Sequence, residues 1–142
     1  MKYIPLLIAV VFTFGCHPVQ KQKTYLSGIT RGVDAELFEA ITKNDLSAVK
    51  SAIANGANVN ARHRGLFSAG NLNNATPLYF AVFGESTMVV EYLLEHGADP
   101  FVPNDANETP IVLAERRGFA RIASIIEKYQ NSLEQKNSPP KN

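Results

Sequence analysis

Two stretches of the same kind decide the fold: Thr76-Pro77-Leu78-Tyr79-Phe80-Ala81 and Thr109-Pro110-Ile111-Val112-Leu113-Ala114. They begin 33 residues apart (109 − 76). In each, a threonine is placed to cap a helix N-terminus through its side-chain oxygen. The proline after it falls at the first helical position, where a missing N–H does no harm. A second matched pair closes the unit, Asn55-Gly56-Ala57-Asn58 and His96-Gly97-Ala98-Asp99. A glycine there suits the left-handed conformation in which helices end. Ala40 precedes Gly56 by 16 residues and Ala81 precedes Gly97 by 16, so a third copy lies upstream in register.

Between these marks, apolar residues recur at helical spacing. They are Val89, Val90, Leu93 and Leu94 in the second copy, and Ile122, Ile125 and Ile126 in the third. Each unit therefore reads as a helix pair with one uncovered apolar face, which forces neighbours to stack. The first copy lacks Thr-Pro and opens Ala35-Glu36-Leu37-Phe38-Glu39-Ala40. Asp34 or Glu36 near that helix start favours the dipole. The third copy lacks the closing Gly-Ala-Asp, and its helix runs through Glu127-Lys128-Tyr129. Terminal units of a stack are commonly atypical in this way.

The pattern resembles the ankyrin repeat family, whose motif opens Thr-Pro-Leu-His and closes with a Leu-Leu pair and Gly-Ala-Asp. The resemblance covers about Asp34 to Tyr129. It is strongest in the middle copy, which has Thr76-Pro77-Leu78, Tyr92-Leu93-Leu94 and Gly97-Ala98-Asp99. It implies an all-α solenoid of three stacked helix-turn-helix repeats with projecting loops. It also implies a rigid concave surface that binds another protein and catalyses nothing. Tyr79 stands where the family has a histidine that braces the repeat, so its implied role is structural.

The N-terminus carries a different signal. Met1-Lys2 is followed by an almost wholly apolar run from Tyr3 to Phe14, then Gly15 and Cys16. A positive start, an apolar core of this length and a small residue at the end read as a secretory signal over residues 1–15. The run is too short to span a bilayer, which takes about 20 apolar residues. Gly15-Cys16 resembles a bacterial lipobox, which implies cleavage before Cys16 and a lipid on its sulfur. Thr13 departs from the Leu, Val or Ile usual in that motif, and Phe14 is bulky, so an ordinary signal peptide stays open. His17 is not the aspartate that retains many such proteins at the inner membrane. The implied address is the bacterial periplasm, anchored to the outer membrane. Residues 16–33 read as a polar tether with Lys21 and Lys23. The repeat domain is expected over 34–130, and a disordered tail over 131–142 with Pro139-Pro140 near its end.

Composition excludes several functions. The chain has 142 residues, 14 basic and 13 acidic, for a formal charge of +1. That balance offers no basic face for nucleic acid. Cys16 is the one cysteine, so no internal disulfide can form. His17, His63 and His96 lack the short ligand spacing of a zinc site. Asp99, Asp105 and Glu108 read as turn and helix-start residues, too sparse for a calcium site. No Gly-x-Ser-x-Gly, phosphate loop or His-Glu-x-x-His occurs. No cofactor, no metal and no catalytic residue is expected.

Two places could bind a partner. From Gly97 to Thr109 is 12 residues, and from Gly56 to Thr76 is 20, so the first inter-repeat loop is eight longer (20 − 12). It contains Arg62, His63, Arg64, Leu66 and Phe67. By the resemblance such loops project on the binding side, and Arg and Phe make good interface anchors. The other reading is a flexible decorated loop. The second place is Phe80 and Phe83, three apart and so on one helix face. The resemblance puts them in a concave groove that Leu113 and Arg116 extend, with Arg117 beside it. Alternatively both phenylalanines pack under the long loop. The chain is expected to be monomeric until it binds. Small envelope lipoproteins of this design resemble immunity proteins, so the expected partner is a secreted toxic effector, such as a phospholipase, occluded by the groove and loop. The alternative is an adaptor tethering a periplasmic enzyme or assembly partner to the membrane.

Overall fold

A computed structural model describes residues 32–63 and 72–137 of the chain. Among these the chain forms six α-helices and no strand beyond a single bridge. In order they are α1 (Gly32–Thr42), α2 (Leu46–Ala54), α3 (Pro77–Phe83), α4 (Thr87–Glu95), α5 (Pro110–Arg117) and α6 (Ala120–Asn137). Consecutive helices pair as α1 with α2, α3 with α4 and α5 with α6. The pairs stack, so that α1, α3 and α5 form an inner row and α2, α4 and α6 an outer one. Three all-helical repeats are thus present, as the spacing predicts.

The sequence periodicity reappears as backbone geometry. Thr76 caps α3 in extended conformation, and its side-chain oxygen accepts from the Tyr79 N–H at 3.3 Å. Thr109 has the same backbone angles, but its side chain makes no capping hydrogen bond. Pro77 and Pro110 each open their helix. Gly56 and Gly97 lie just past α2 and α4 at φ +90° and +86°, the region their positions require. The first helices of the repeats end alike, with Asn44, Glu85 and Gly118 at φ 52°, 55° and 74°. Ala40, Ala81 and Ala114 recur at one buried position of the inner row. Side chains this small let neighbouring helices approach closely.

The core runs the length of the stack. Leu37, Val49, Leu78, Val82, Val89, Val90, Leu93, Leu113 and Ile126 are completely buried. Each contributes about 1.5–3 kcal/mol by leaving water. Polar side chains then tie successive repeats. Asn60 Nδ2 donates to the Gly97 carbonyl at 3.0 Å, and its Oδ1 accepts from the Asp99 N–H at 2.8 Å. Within the first repeat, Asp34 in the first turn of α1 accepts from the Asn58 N–H at 2.7 Å.

Two expected boundaries change. The helical domain starts at Gly32, inside the segment read as tether, because Val33 packs against the core. At the other end α6 continues to Asn137, through half of the stretch read as a tail. Ile125, Tyr129 and Leu133, spaced by four, are half-buried along it. That stripe and helix-favouring Glu134, Gln135 and Lys136 carry the helix past the stack. The signal peptide, Cys16 and residues 138–142 lie outside the described residues.

Glu85 is the non-ideal member of its set, a branched-free but Cβ-bearing residue in a left-handed turn where Gly118 stands one repeat later. That conformation costs an L-residue about 1–2 kcal/mol, and glycine's extra chain entropy returns part of it. Glu85→Gly is expected to raise stability by about 0.5–1 kcal/mol, read as a higher urea midpoint at unchanged slope. A lowered midpoint would show that the turn is not strained.

Candidate interaction surface

The ends of the inner helices bring the candidate residues to one edge. Phe83 closes α3, and Arg116 and Arg117 close α5, with Arg116 one period beyond Phe83 (116 − 83 = 33). Arg117 turns back across the repeat boundary, placing its guanidinium carbon 4.3 Å from the centre of the Phe83 ring. This is well inside the range of a cation–π contact. Phe83 is half-buried and Arg117 exposed. No carboxylate is paired with Arg117 among the described residues.

Arg116 behaves differently. Its Nε donates to Glu108 Oε1 at 2.6 Å and its Nη2 to Glu108 Oε2 at 3.2 Å, a two-point clamp. The same Oε2 accepts from the Tyr79 hydroxyl at 2.6 Å. Tyr79 is completely buried, and burial, reinforced by Glu108, pushes its phenol well above the ordinary range. The Arg116 hydrogen bonds hold the Glu108 carboxyl below its usual value, against the opposing effect of burial. The three side chains therefore form a brace between the second and third repeats. Tyr79 has the bracing role expected of its position.

The long loop is rooted more firmly than its composition suggests. His63 and Ala75 form an antiparallel bridge, with His63 N–H donating to the Ala75 carbonyl at 2.9 Å and Asn74 N–H to the His63 carbonyl at 2.7 Å. Arg62 is not an outward anchor. Its Nη1 donates to the carbonyls of Asn74 at 2.8 Å and Pro103 at 2.6 Å, tying the loop base to the next turn. Asp105 N–H adds a bond to the Asn73 carbonyl at 3.1 Å. Arg64, Leu66 and Phe67 lie outside the described residues.

Phe80 and Leu113 need correcting as groove residues. Phe80 is 6% exposed and Leu113 is completely buried. Phe80 packs edge-on against Phe38 at 5.1 Å between centroids, and the His63 ring is tilted against it at 5.1 Å. His63 also meets Phe38 at 5.0 Å. This three-ring cluster joins the first repeat, the loop base and the second repeat, so the loop base covers Phe80 while Phe83 remains at the edge. Of the residues singled out from sequence, Phe83, Arg116 and Arg117 share an accessible edge.

His63 makes the fold acid-sensitive. Burial lowers its folded pKa below the ordinary 6.5, so the folded protein favours the neutral ring. The unfolded chain then takes up a proton first. Stability is full above about pH 6.5 and falls as pH drops below it, levelling beneath the folded value. His63→Phe is expected to remove the loss between pH 7.5 and 5.5 in thermal melts. An unchanged pH dependence in that variant would assign the effect elsewhere.

Sequence reasoning missed part of the surface. Phe101 is 48% exposed, and Met88 and Val112 are also open. Phe101 occupies the place that Asn60 holds one repeat earlier (97 + 4 against 56 + 4), so an apolar residue replaces the inter-repeat clasp at the last turn. Aligning the repeats would have exposed it. Arg121, exposed on the first turn of α6, lies four residues beyond Arg117. A shallow open cleft of about 310 Å3 between α1 and α2 contains no His or Cys. No group of acidic, His or Cys side chains among the described residues could hold a metal. No helix among them is long and apolar enough to cross a membrane.

Stacked helix pairs, capped alike and braced by side chains across each boundary, define a repeat solenoid that presents edges and loops. The chain belongs to the ankyrin repeat family, whose model matches residues 37–137 in three copies. Ankyrin repeats are protein-interaction modules without a catalytic function of their own. The ankyrin repeat protein YahD of Escherichia coli is 34% identical over 111 residues, covering 73% of this chain and 51% of that protein. XBAT35 of Arabidopsis thaliana, named as an E3 ubiquitin-protein ligase, is 34% identical over 97 residues, covering 68% of this chain and 18% of its own length. The 2-5A-dependent ribonuclease of Homo sapiens is 33% identical over 86 residues, 61% of this chain and 11% of that protein. The chain thus spans from about a tenth to half the length of these relatives.

Proposed function

We propose that this chain is a non-catalytic envelope lipoprotein that binds a toxic effector and neutralises it by covering its working surface. The observation that carries the binding part is the edge at Phe83 and Arg117, with a loop over residues 64–71 rooted in the stack at His63 and Ala75. A stiff scaffold that presents preset side chains loses little entropy on association. The lipobox-like Gly15-Cys16 supports a membrane address, with Cys16 as the lipid site. A guard held at a membrane suits an effector that attacks lipid, such as a phospholipase.

The test is a deletion strain challenged with and without neighbours that deliver effectors. Immunity requires that loss of the gene is harmful only when an effector arrives, and that the effector co-purifies with the restored protein. An envelope defect with no effector present would overturn immunity and favour the adaptor reading. Globomycin, which blocks cleavage of lipidated precursors, should leave a longer chain; normal processing in its presence would remove the lipid anchor.

A further inference from the structure

We propose that Arg117, stacked on Phe83, is the anchor for an acidic segment of the protein partner. The inference rests on the reading of this edge as a binding surface and specifies the chemistry that the edge accepts. The two arginines at the end of α5 are neighbours in sequence with opposite fates. Arg116 is neutralised by Glu108 through two hydrogen bonds. Arg117 has a ring beneath it and, although Glu108 lies near enough to feel its charge, no ion pair or hydrogen bond to a carboxylate among the described residues. The guanidinium makes no hydrogen bond among the described residues, so the ring contact leaves its N–H donors open. Those donors form a fork that matches a carboxylate at two points.

The ring also fixes the fork in place. A long exposed arginine ordinarily loses rotamer freedom when it binds. Here much of that ordering is already present in the free protein. The exposed part of Phe83 offers apolar surface beside the fork, and Arg121 adds a second exposed cation four residues on, across the turn at Gly118. The matching occupant presents a carboxylate to the fork, with further acidic residues beside it.

A lipid surface fits less well. Recognition of anionic membranes uses clusters of about 4–8 basic residues. The end of α5 has Arg116 and Arg117, of which the first is already paired, exposed Arg121 follows in α6, and exposed Glu85 and Glu115 stand nearby in sequence. Such a mixture favours a local, geometrically defined acidic contact.

The experiment is an NMR titration of the full-length protein, 15N-labelled in zwitterionic micelles, with a hexaglutamate peptide as probe. Binding should shift the Arg117 Nε–H and the Phe83 ring signals. Arg117→Gln should weaken it about tenfold, and Arg117→Lys nearly as much, because lysine keeps the charge and loses the planar fork. Phe83→Leu should weaken it while leaving net charge unchanged. Lys128→Gln, which removes an equal charge from α6, should have little effect. Circular dichroism checks that each variant folds. Equal losses in Arg117→Gln and Lys128→Gln would overturn the assignment in favour of diffuse charge attraction. So would Arg117-dependent shifts on adding phosphatidylglycerol to the micelles when hexaglutamate gives none. No effector takes part, so a failed titration removes the acidic anchor and leaves the occlusion reading to its own genetic test.

Discussion

Phe80→Asp is expected to unfold this protein, whereas Phe83→Asp should leave it folded. The two phenylalanines sit three residues apart on one short helix, yet they have different surroundings. Phe80 is 6% exposed, meets Phe38 edge-on and has the His63 ring tilted against it. Removing a buried phenylalanine side chain costs about 3–5 kcal/mol. A carboxylate put in its place would meet the Phe38 ring and a His63 imidazole that burial holds toward its neutral form, and burying it so poorly compensated costs several more. A domain of this size has about 5–15 kcal/mol in total, so the substitution consumes most or all of it. Phe83 is half-buried beneath Arg117. An aspartate there loses the ring contact and gains a cationic neighbour. Urea unfolding followed by circular dichroism separates the two. A cooperative native transition in Phe80→Asp, with a midpoint near that of the parent, would show that the aromatic cluster is not part of the core.

The second large effect is expected at Glu108, where one carboxylate serves Tyr79 and Arg116 together. Glu108→Ala leaves the buried Tyr79 hydroxyl without its acceptor, which costs about 1–3 kcal/mol. Tyr79→Phe removes the hydroxyl as well as the need for a partner. In that background Glu108→Ala should cost less by about 1 kcal/mol, and a double-mutant cycle measures the difference. Additive losses would mean that the hydrogen bond contributes nothing. The effect also has a pH signature. The folded pKa of Glu108 is depressed, chiefly by Arg116. Its contribution is therefore present above the unfolded carboxylate pKa and is lost as pH falls through the lower folded value. Parent and Glu108→Ala should converge in stability at strongly acid pH.

The fold was legible because the features that define it are local. Thr76-Pro77 and Thr109-Pro110 start helices, Gly56 and Gly97 end them, and the spacing of 33 fixes how the units stack. The surface was legible only in part, because burial at the edges depends on contacts that the repeat does not encode. Phe80 is covered by His63, which arrives from a loop eight residues longer than its counterpart in the next repeat. Arg62 reads as an interface residue by type, but two backbone carbonyls far apart in sequence claim its donors. Asn131 to Asn137 is polar and reads as a tail, yet it extends an established helix, which adds residues at far lower cost than starting a new one. In each case a long-range or cooperative effect outweighed composition.

The closed base of the long loop separates what the stack holds from what the loop displays. The chain leaves at His63 and returns at Ala75 already hydrogen-bonded, and Arg62 fixes the same base to the following turn. The ends are thus brought together by the scaffold, whatever lies between them. Lengthening such a segment costs only about 0.6 kcal/mol per doubling. A change in the number of residues between these two fixed points is therefore expected to move the urea midpoint of the stack very little.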